Sequence, residues 1–246
     1  MLKNEREREI LRIIENRGGF ATVRELCTML FASESSIRRD LRALDERGLI
    51  RRSHGGAERL ANPSGGIAFA ARGRQNVEAK RAMAQIAKRL VKNGDIVFLD
   101  QSSSAFYLAA ELAENRTLTV VTNNVEILAL LADSPLKVYS SGGMLCPDNR
   151  TCLIGEDAAR TFSQVRADLL FFSARSLSAD GVISDLSREE VLVREAMMKN
   201  AARVVLLCDR GKHGTRSAYT QGTLDTVDLW IDEDGAYDKD GKTIKI

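Results

Sequence analysis

Short apolar runs recur along most of the chain after residue 66, and amphipathic segments separate them. Each run has the length of a β-strand, and Gly, Asp, Ser or Asn bounds most of them. The runs are Ile96–Leu99, Leu118–Val121, Leu136–Tyr139, Asp168–Phe172 and Val204–Cys208. Helix candidates lie between them, at about 77–91, 104–113, 124–132, 155–162 and 187–200. Because strands that alternate with helices form βαβ units, the pattern predicts an α/β domain with a mostly parallel sheet.

The beginning of the chain follows a helical pattern with a period of three to four residues. A first amphipathic helix ends at Gly18-Gly19 and carries its apolar face on Ile10, Leu11, Ile13 and Ile14. A second opens at Thr22, whose hydroxyl forms a predicted capping box with Glu25 three residues later. Its expected buried residues are Val23, Leu26 and Leu30.

A third helix and a hairpin complete this segment. Ser33 is a suitable N-cap, and the helix that follows carries Ile37, Leu41 and Leu44 on one face before it stops at Gly48. The residues after Gly48 predict a β-hairpin with cations on it, which is a wing. The order of helix, turn, helix and hairpin predicts a winged helix-turn-helix at residues 1–59.

The third helix has side chains suited to the major groove of DNA. Serine and arginine can contact phosphates, and arginine also pairs with guanine edges. The predicted DNA-binding residues are Ser33, Ser35, Ser36, Arg38, Arg39, Arg42, Arg51, Arg52 and His54. A solvated three-helix bundle would also explain each arginine singly. It would not explain two capped helices, a tight turn and a basic hairpin in this order.

Composition sets the remaining bounds. Residues 1–60 hold 13 Lys and Arg against 10 Asp and Glu, so the basic excess lies in the DNA-binding segment. The N-terminus lacks a signal peptide's apolar stretch, and no apolar run is long enough to cross a bilayer, so we expect a cytoplasmic protein without a membrane partner. Four cysteines without a C-x-x-C pair, and two histidines, predict reduced thiols and neither a metal nor a cofactor.

Two motifs at the right distance carry a family resemblance. The run from Ser33 to Leu41, SESSIRRDL, and the run from Arg52 to Ala57, RSHGGA, resemble the DeoR family of bacterial transcription regulators. That family's patterns are S-x-x-T-I-R-R-D-L and R-x-H-G-G-A. The one departure is Ser36 in place of threonine, which keeps the hydroxyl.

The resemblance extends to nearly the whole chain. Segments that match the family's second domain are Arg72 with Lys80, Gly94–Asp100, Val120–Asn124, Gly142 with Gly143, and Leu207–Lys212. A linker at 60–66, rich in Pro, Gly and Ser, would separate this domain, at 67–246, from the first. The resemblance implies an effector and oligomerisation domain that has a fold similar to ribose-5-phosphate isomerase and senses sugar phosphates or related metabolites.

The effector pocket is expected at the carboxyl ends of the parallel strands. Hydroxyls before a helix, polar groups after the second strand and a late lysine could hold an anion there. The predicted effector-binding residues are Arg72, Lys80, Asp100, Ser102, Ser103, Ser104, Thr122, Asn123, Gly142, Gly143, Arg175 and Lys212. Alternatively, the serines only cap a helix, and Lys212 is a solvated loop residue.

Two positions depart from the family in this pocket. Ser102 stands where the family usually has glycine, and a backbone cradle there often needs a positive φ or a very close approach, which serine resists. Arg175 lies where the family has a G-A-D-G-like stretch, so the charge at the expected rim of the pocket is reversed. Alternatively, Arg175 pairs with Asp180 or Asp185 on the surface, an interaction of little energy. No acidic general base is apparent, and we expect no catalysis.

The sequence therefore predicts a repressor of carbohydrate-metabolism genes that binds a double-stranded DNA operator and is controlled by a small molecule, with a phosphorylated sugar as the expected effector. One helix-turn-helix gives little specificity, so a homodimer or homotetramer is expected. A sugar-phosphate enzyme with an appended domain and a protein-interaction module are the alternatives.

Overall fold

The structure is a computed structural model, and it describes residues 3–17, 20–46, 49–53, 55–59, 69–115 and 117–246. These residues form two compact units, Met1–Gln75 and Asn76–Ile246. The predicted linker at 60–66, the predicted helix ends at Gly18, Gly19 and Gly48, and His54 lie outside the described residues. The domain boundaries at 59 and 67 therefore stay predictions. Within the described part of the chain, no helix is long and apolar enough to span a membrane.

The first unit contains the three predicted helices and the hairpin. Its elements in chain order are α1 (Lys3–Asn16), β1 (Phe20–Thr22), α2 (Val23–Leu30), α3 (Glu34–Glu46), β2 (Ile50–Ser53), β3 (Gly56–Arg59) and α4 (Phe69–Arg74). The three strands form an antiparallel sheet in the order β1-β3-β2. The short strand β1 was not predicted, because three residues are too few to show an alternating pattern.

Local rules explain where α2 begins. The Thr22 hydroxyl accepts from the backbone N–H of Glu25 at 3.2 Å, and the Glu25 carboxylate accepts from the Thr22 N–H at 2.8 Å. The predicted capping box is therefore confirmed. The small core collects Ile10, Ile13, Ile14, Val23, Leu26, Ile37, Leu41, Leu44 and Ile50. Leu30 was predicted to be buried and is only partly buried at the edge of this core.

The two glycines of the hairpin have different roles. Gly55, directly before β3, has a φ of 89°, a conformation that favours glycine. Gly56 begins β3, and a Cβ there would lie 2.5 Å from the carbonyl oxygen of Ala21 and 2.7 Å from the Phe20 ring. Glycine at this position therefore lets β3 pair closely with β1.

An ion pair lies beneath α3. Asp40 is 1% exposed, and its carboxylate accepts a hydrogen bond from the guanidinium of Arg6 on α1. This hydrogen bond raises the pKa of Arg6, although burial of the guanidinium opposes it. Asp40, the aspartate of the R-R-D-L motif, therefore links α3 to α1 through an ion pair, and its side chain is buried.

The second unit contains a large mixed sheet and covering helices. Its helices are α5 (Val77–Lys88), α6 (Ser103–Leu112), α7 (Val125–Leu131), α8 (Glu156–Gln164) and α9 (Arg188–Lys199). Its strands are β4 (Ile96–Leu99), β5 (Thr119–Thr122), β6 (Lys137–Ser140), β7 (Met144–Leu145), β8 (Leu153–Ile154), β9 (Leu169–Phe172), β10 (Ser176–Leu177), β11 (Val182–Asp185), β12 (Val204–Leu207), β13 (Tyr219–Thr223), β14 (Leu229–Ile231), β15 (Ala236–Tyr237) and β16 (Thr243–Ile244).

The sheet confirms the predicted α/β class. Its order is β16-β15-β14-β12-β9-β4-β5-β6, and all pairs from β14 to β6 are parallel. The two additional strands β15 and β16 are antiparallel. One apolar layer covers each face, with Val97, Leu108 and Phe171 in the first and Phe98, Phe162 and Phe172 in the second. All five predicted strands and all five predicted helices are present, with ends shifted by three residues at most.

Short antiparallel elements were missed. A hairpin joins β7 to β8, and a separate three-stranded sheet has the order β10-β11-β13. The strands β10, β7 and β8 have two residues each, which is too short for a period-two pattern to appear in the sequence. The small sheet nevertheless positions side chains that matter for the candidate effector site.

The ion pair beneath α3 gives a first prediction. In Arg6→Ala, the buried carboxylate of Asp40 loses a charged hydrogen-bond donor, and the first unit should lose about 2 kcal/mol of unfolding free energy. Urea unfolding of the full chain, followed by circular dichroism, measures the loss.

Arg12→Ala is the matched control, because Arg12 lies on the same helix and pairs with Glu9 where both side chains are exposed. Its removal should leave the unfolding curve unchanged. Equal stability of the two variants would contradict a structural role for Asp40.

Candidate functional site

The N-terminus of α3 presents a cluster of hydroxyls. Ser33 lies before the helix, and its hydroxyl accepts from the backbone N–H of Ser36 at 3.3 Å, as expected of an N-cap. The hydroxyls of Ser35 and Ser36 lie 3.1 and 2.9 Å from it. Ser33 and Ser35 are exposed and Ser36 is half-buried, so these hydroxyls lie at the positive end of the helix dipole.

Exposed cations continue along α3 and the hairpin. The predicted residues Arg38, Arg39, Arg42, Arg51 and Arg52 are all exposed. Arg38 pairs with Glu34 at 2.6 Å, one helical turn earlier, and Arg51 pairs with Glu58 across the hairpin at 2.8 Å. Within the described residues, the other three guanidinium groups form no ion pair. His54 lies outside the described residues, so its role stays a prediction.

In the second unit, polar residues collect at the carboxyl ends of the parallel strands. From β4 the chain proceeds to β5 and β6 on one side, and then returns to β9 and β12 on the other. The direction of winding therefore changes between β4 and β9, which is where open α/β sheets bind ligands. Asp100 follows β4 and Ser173 follows β9, so these two residues meet at the change.

Asp100 is completely buried and accepts three hydrogen bonds. One carboxylate oxygen accepts from the Ser102 N–H at 3.0 Å. The other accepts from the Ser173 N–H at 3.2 Å and from Nε of Arg194 at 3.1 Å. Asp100 therefore holds together the loops that follow β4 and β9.

Arg194 on α9 was missed by the sequence analysis, although it is the largest fully buried side chain of the described residues. It bonds to Asp100, to Asp185 of β11 at 3.2 Å and to Gln221 of β13 at 2.8 Å. Burial disfavours its charge, but the nearby carboxylates of Asp185 and Asp100 outweigh that effect and raise the pKa of Arg194. No sequence signal marks this arginine, since a cation in an amphipathic helix predicts a solvated residue.

The serines after β4 cap α6. The Ser102 hydroxyl accepts from the Ala105 N–H at 3.0 Å, and its backbone has a φ of −77°. Serine therefore replaces glycine without strain, and the expected need for a positive φ is wrong. Ser103 and Ser104 occupy the first turn and are buried, and the Ser104 hydroxyl has no hydrogen-bond partner among the described residues.

A chain of polar side chains crosses the same edge. Asn149 donates to Glu190 at 2.8 Å, and Gln101 donates to the other Glu190 oxygen at 2.9 Å. Asn123, after β5, donates to Gln101 at 3.2 Å and to the Leu153 carbonyl at 3.1 Å. The side-chain oxygen of Asn123 is buried and has no partner in the described structure. Asn149, Glu190 and Gln101 were not predicted, because their contacts join segments that are distant in sequence.

The remaining predicted residues fall into two groups. Thr122 is buried and donates to the Leu99 carbonyl at 2.7 Å, so its hydroxyl supports the strand ends. Lys212 is 20% exposed, donates to Ser173 Oγ at 2.7 Å and lies 3.6 Å from a carboxylate oxygen of Asp209. Lys212 therefore belongs to the polar residues at the carboxyl ends of the parallel strands, which we call the polar edge. The alternative of a solvated loop residue is wrong.

Four predicted residues have less direct support. Gly142 and Gly143 follow β6 with positive φ angles of 65° and 98° and are exposed. Lys80 is buried in α5, and Arg72 lies on α4 of the first unit over the ring of Phe69. The positions of these residues do not test their predicted contacts with an effector.

Arg175 is exposed, and the alternative in which it pairs with Asp180 or Asp185 is wrong. Asp185 pairs with Arg194, and Asp180 lies 3.8 Å from Arg216. Within the described residues, Arg175 forms no ion pair.

Across the same residues, no group of three or more His, Cys, Asp or Glu side chains could hold a metal ion.

Comparison with known proteins gives the two units their class. The DeoR-like helix-turn-helix domain matches residues 6–62, and the DeoR C terminal sensor domain matches residues 75–234. A winged helix-turn-helix followed by a sensor domain defines a DNA-binding transcriptional regulator. The chain belongs to the DeoR family.

Relatives match over almost their full length. The HTH-type transcriptional regulator GlpR of Haloferax volcanii is 33% identical over 98% of this chain and 94% of that protein. The glycerol-3-phosphate regulon repressor of Haemophilus influenzae is 30% identical over 93% of this chain and 88% of that protein. Among solved structures, ribose 5-phosphate isomerase A of Methanocaldococcus jannaschii has 18% identity and a TM-score of 0.43, and the match covers 56% of this chain and 55% of that one.

Thiol chemistry beside the polar edge gives a second prediction. Burial raises the pKa of Cys208 to about 12, although Lys212 partly opposes the shift. The thiolate fraction at pH 8 is then on the order of one in ten thousand, and it grows only as the pH approaches the raised pKa. Cys146 and Cys152 are also buried, whereas Cys27 is partly exposed. A colorimetric thiol reagent at pH 8 should therefore detect Cys27 rapidly, and all four cysteines only after denaturation.

Cys27→Ser should remove the rapid phase, and Cys208→Ser should leave it intact. Loss of the rapid phase in Cys208→Ser would contradict the buried, protonated state of that thiol.

Proposed function

We propose that this protein is a repressor of carbohydrate-metabolism genes whose affinity for operator DNA is controlled by a phosphorylated small molecule bound at the polar edge of the second unit. The observation that carries the DNA-binding part is the row of exposed hydroxyls and guanidinium groups on α3 and the hairpin. The name of the Haemophilus relative, a glycerol-3-phosphate regulon repressor, supports the class of effector.

In the proposed complex, α3 enters the major groove with its N-terminus leading. Ser33, Arg42, Arg51 and Arg52 contact phosphates and fix the register, because charge and the helix dipole both attract anions. Ser35, Ser36, Arg38 and Arg39 reach base edges. His54 contacts the adjacent minor groove or a phosphate.

A single helix-turn-helix contacts too few bases to select one site in a genome. We therefore propose that the second unit joins two or four copies, which then bind a repeated operator.

The remaining alternative for the first unit, a protein-interaction module, differs in how its binding responds to salt. Phosphate contacts weaken steeply as salt rises, whereas an apolar interface does not.

Arg38 provides the third prediction. Arg38→Ala should weaken binding to the operator by about 1–3 kcal/mol and relax the base preference, because a base contact adds specificity that phosphate contacts do not. Fluorescence anisotropy with the best duplex selected from a random-sequence pool, and with an unselected duplex, measures both effects.

Arg160→Ala is the matched control, since Arg160 is exposed on α8 and pairs with Asp157 much as Arg38 pairs with Glu34. Its affinity for both duplexes should be unchanged. If Arg38→Ala keeps the same ratio between the two affinities, Arg38 does not contact a base.

For the effector, the N-terminus of α6 and Lys212 are the proposed anion site. The helix supplies backbone N–H groups and its dipole, Ser104 supplies an unpartnered hydroxyl, and Lys212 supplies a cation that is mostly buried. Asn123 adds an unpartnered acceptor, which a hydroxyl of the same ligand would satisfy. In this arrangement Asp100 orients the loops and does not contact the ligand.

Ser104 provides the fourth prediction. Ser104→Ala removes a hydroxyl without a partner, so the unliganded protein should keep its melting temperature. The rise in melting temperature caused by glycerol-3-phosphate, or by the best of a panel of pentose and hexose phosphates, should fall by at least half in the variant.

Ser102→Ala has the opposite signature and serves as the control. It removes the N-cap of α6 and should destabilise the unliganded protein by about 1 kcal/mol. If the panel produces no shift in the wild type while a carboxylate or neutral metabolite does, the phosphate class is wrong.

We also propose that the protein is not an enzyme. Three carboxylates of the described residues lie at this edge, those of Asp100, Glu190 and Asp209, and all three are buried. Asp100 accepts three hydrogen bonds, one of them charge-assisted, and both oxygens of Glu190 accept from amide side chains. A general base needs a free oxygen within reach of the substrate. Turnover of a pentose or hexose phosphate by the purified protein, lost in Lys212→Ala, would instead support the enzyme alternative.

A further inference from the structure

One aromatic residue of the first unit has an unusual conformation. Phe31, in the turn between α2 and α3, has a φ of 48° and a ψ of 42°, which is the left-handed region. Among the described residues other than glycine, only Asn76 shares a positive φ, and asparagine tolerates that region well. For a bulky side chain such as Phe it is unfavourable.

The fold itself does not explain the phenylalanine. The Phe31 N–H donates to the Cys27 carbonyl and ends α2, a task that glycine performs better because it lacks a Cβ. The Phe31 side chain is 97% exposed, whereas the other large exposed apolar side chains are 38–60% exposed. An unfavourable conformation and a solvated ring therefore occur together, without a packing gain to offset either.

Phe31 lies next in sequence to the residues proposed to contact DNA. It lies two residues before Ser33, whose hydroxyl caps α3 and belongs to the exposed Ser33–Ser36 cluster. A recognition helix that enters the groove with its N-terminus leading brings the preceding turn close to the same strand. Apolar side chains contact thymine methyl groups at such positions.

We propose that Phe31 is a DNA contact whose ring packs on thymine methyl and deoxyribose carbons beside the N-terminus of α3. The inference rests on the proposed entry of α3 into the major groove. It adds an uncharged, shape-dependent contribution to a surface otherwise composed of cations and hydroxyls. The strained turn is then a cost in stability that is offset only in the complex.

Phe31→Gly separates stability from binding. Because glycine removes the strain, the melting temperature of the full chain without DNA should rise by about 2 °C or more. Affinity for the selected operator should fall about three- to tenfold, because the apolar contact is lost. The slope of affinity against salt should stay unchanged, because no phosphate contact is lost.

Three further variants test whether the ring itself is responsible. Phe31→Asn tolerates the same backbone and should lose as much affinity as Phe31→Gly, so a flexible glycine is not the cause. Phe31→Tyr keeps the ring and should bind within twofold of the wild type. Met29→Ala removes another exposed apolar side chain, on α2, and should not change affinity.

Unchanged operator affinity in Phe31→Gly overturns the proposal. A lower melting temperature of Phe31→Gly without DNA also overturns it, since the ring would then pack within the protein. A change in oligomeric state overturns it as well, since the ring would then contact a second copy. The result for Arg38→Ala separates the role of Phe31 from the proposed DNA binding by α3. If that variant and Phe31→Gly both bind as the wild type does, α3 itself is misassigned, whereas a loss in Arg38→Ala alone overturns only the role of Phe31.

Discussion

The polar edge of the second unit depends on one buried ion pair. Asp100 and Arg194 are both almost completely buried, and Nε of Arg194 lies 3.1 Å from the Asp100 carboxylate. Each partner has further bonds, from the Ser102 and Ser173 backbone N–H groups to Asp100 and from Arg194 to Asp185 and Gln221. Removing either partner would leave a charge in a dry environment, which costs several times more than the loss of a surface pair. The pair therefore fixes the loops after β4 and β9, α9 and the small sheet to one another.

This constraint explains how the candidate effector site is organised. Because Asp100 holds the Ser102 N–H, the N-terminus of α6 has a fixed direction, and Ser102 can cap the helix with an ordinary negative φ. Glu190, one helical turn before Arg194 on α9, holds Gln101 and through it Asn123. The unpartnered oxygens of Ser104 and Asn123 thus lie on a rigid support, which is the condition for a ligand to be recognised without first ordering the site.

The sequence predicted what depends on local pattern and missed what depends on distant contacts. The five parallel strands, the five helices between them and the Thr22 capping box follow from apolar periodicity and cap chemistry, and the structure confirms them. The class of protein followed from two spaced motifs. The partners of Asp100 could not be predicted, because Arg194 is 94 residues away in sequence and resembles any exposed helical arginine. The pairing of Arg175 failed for the same reason, since Asp185 has a buried partner that sequence spacing does not reveal.

The two units have a similar ion pair beneath the two helices that we propose as binding sites. Asp40 and Arg6 hold α3 from below, and Asp100 and Arg194 hold the turn that leads into α6. In both places a buried carboxylate pairs with a guanidinium, fully buried in Arg194 and 20% exposed in Arg6, under a helix whose N-terminus presents serine hydroxyls. An apolar contact of the same volume would stabilise the fold at least as well, because burying two charges costs much of their attraction. What the ion pair adds is direction, since hydrogen bonds tolerate less rotation than apolar packing does. A helix that presents its N-terminus to a phosphate needs that direction more than it needs extra stability.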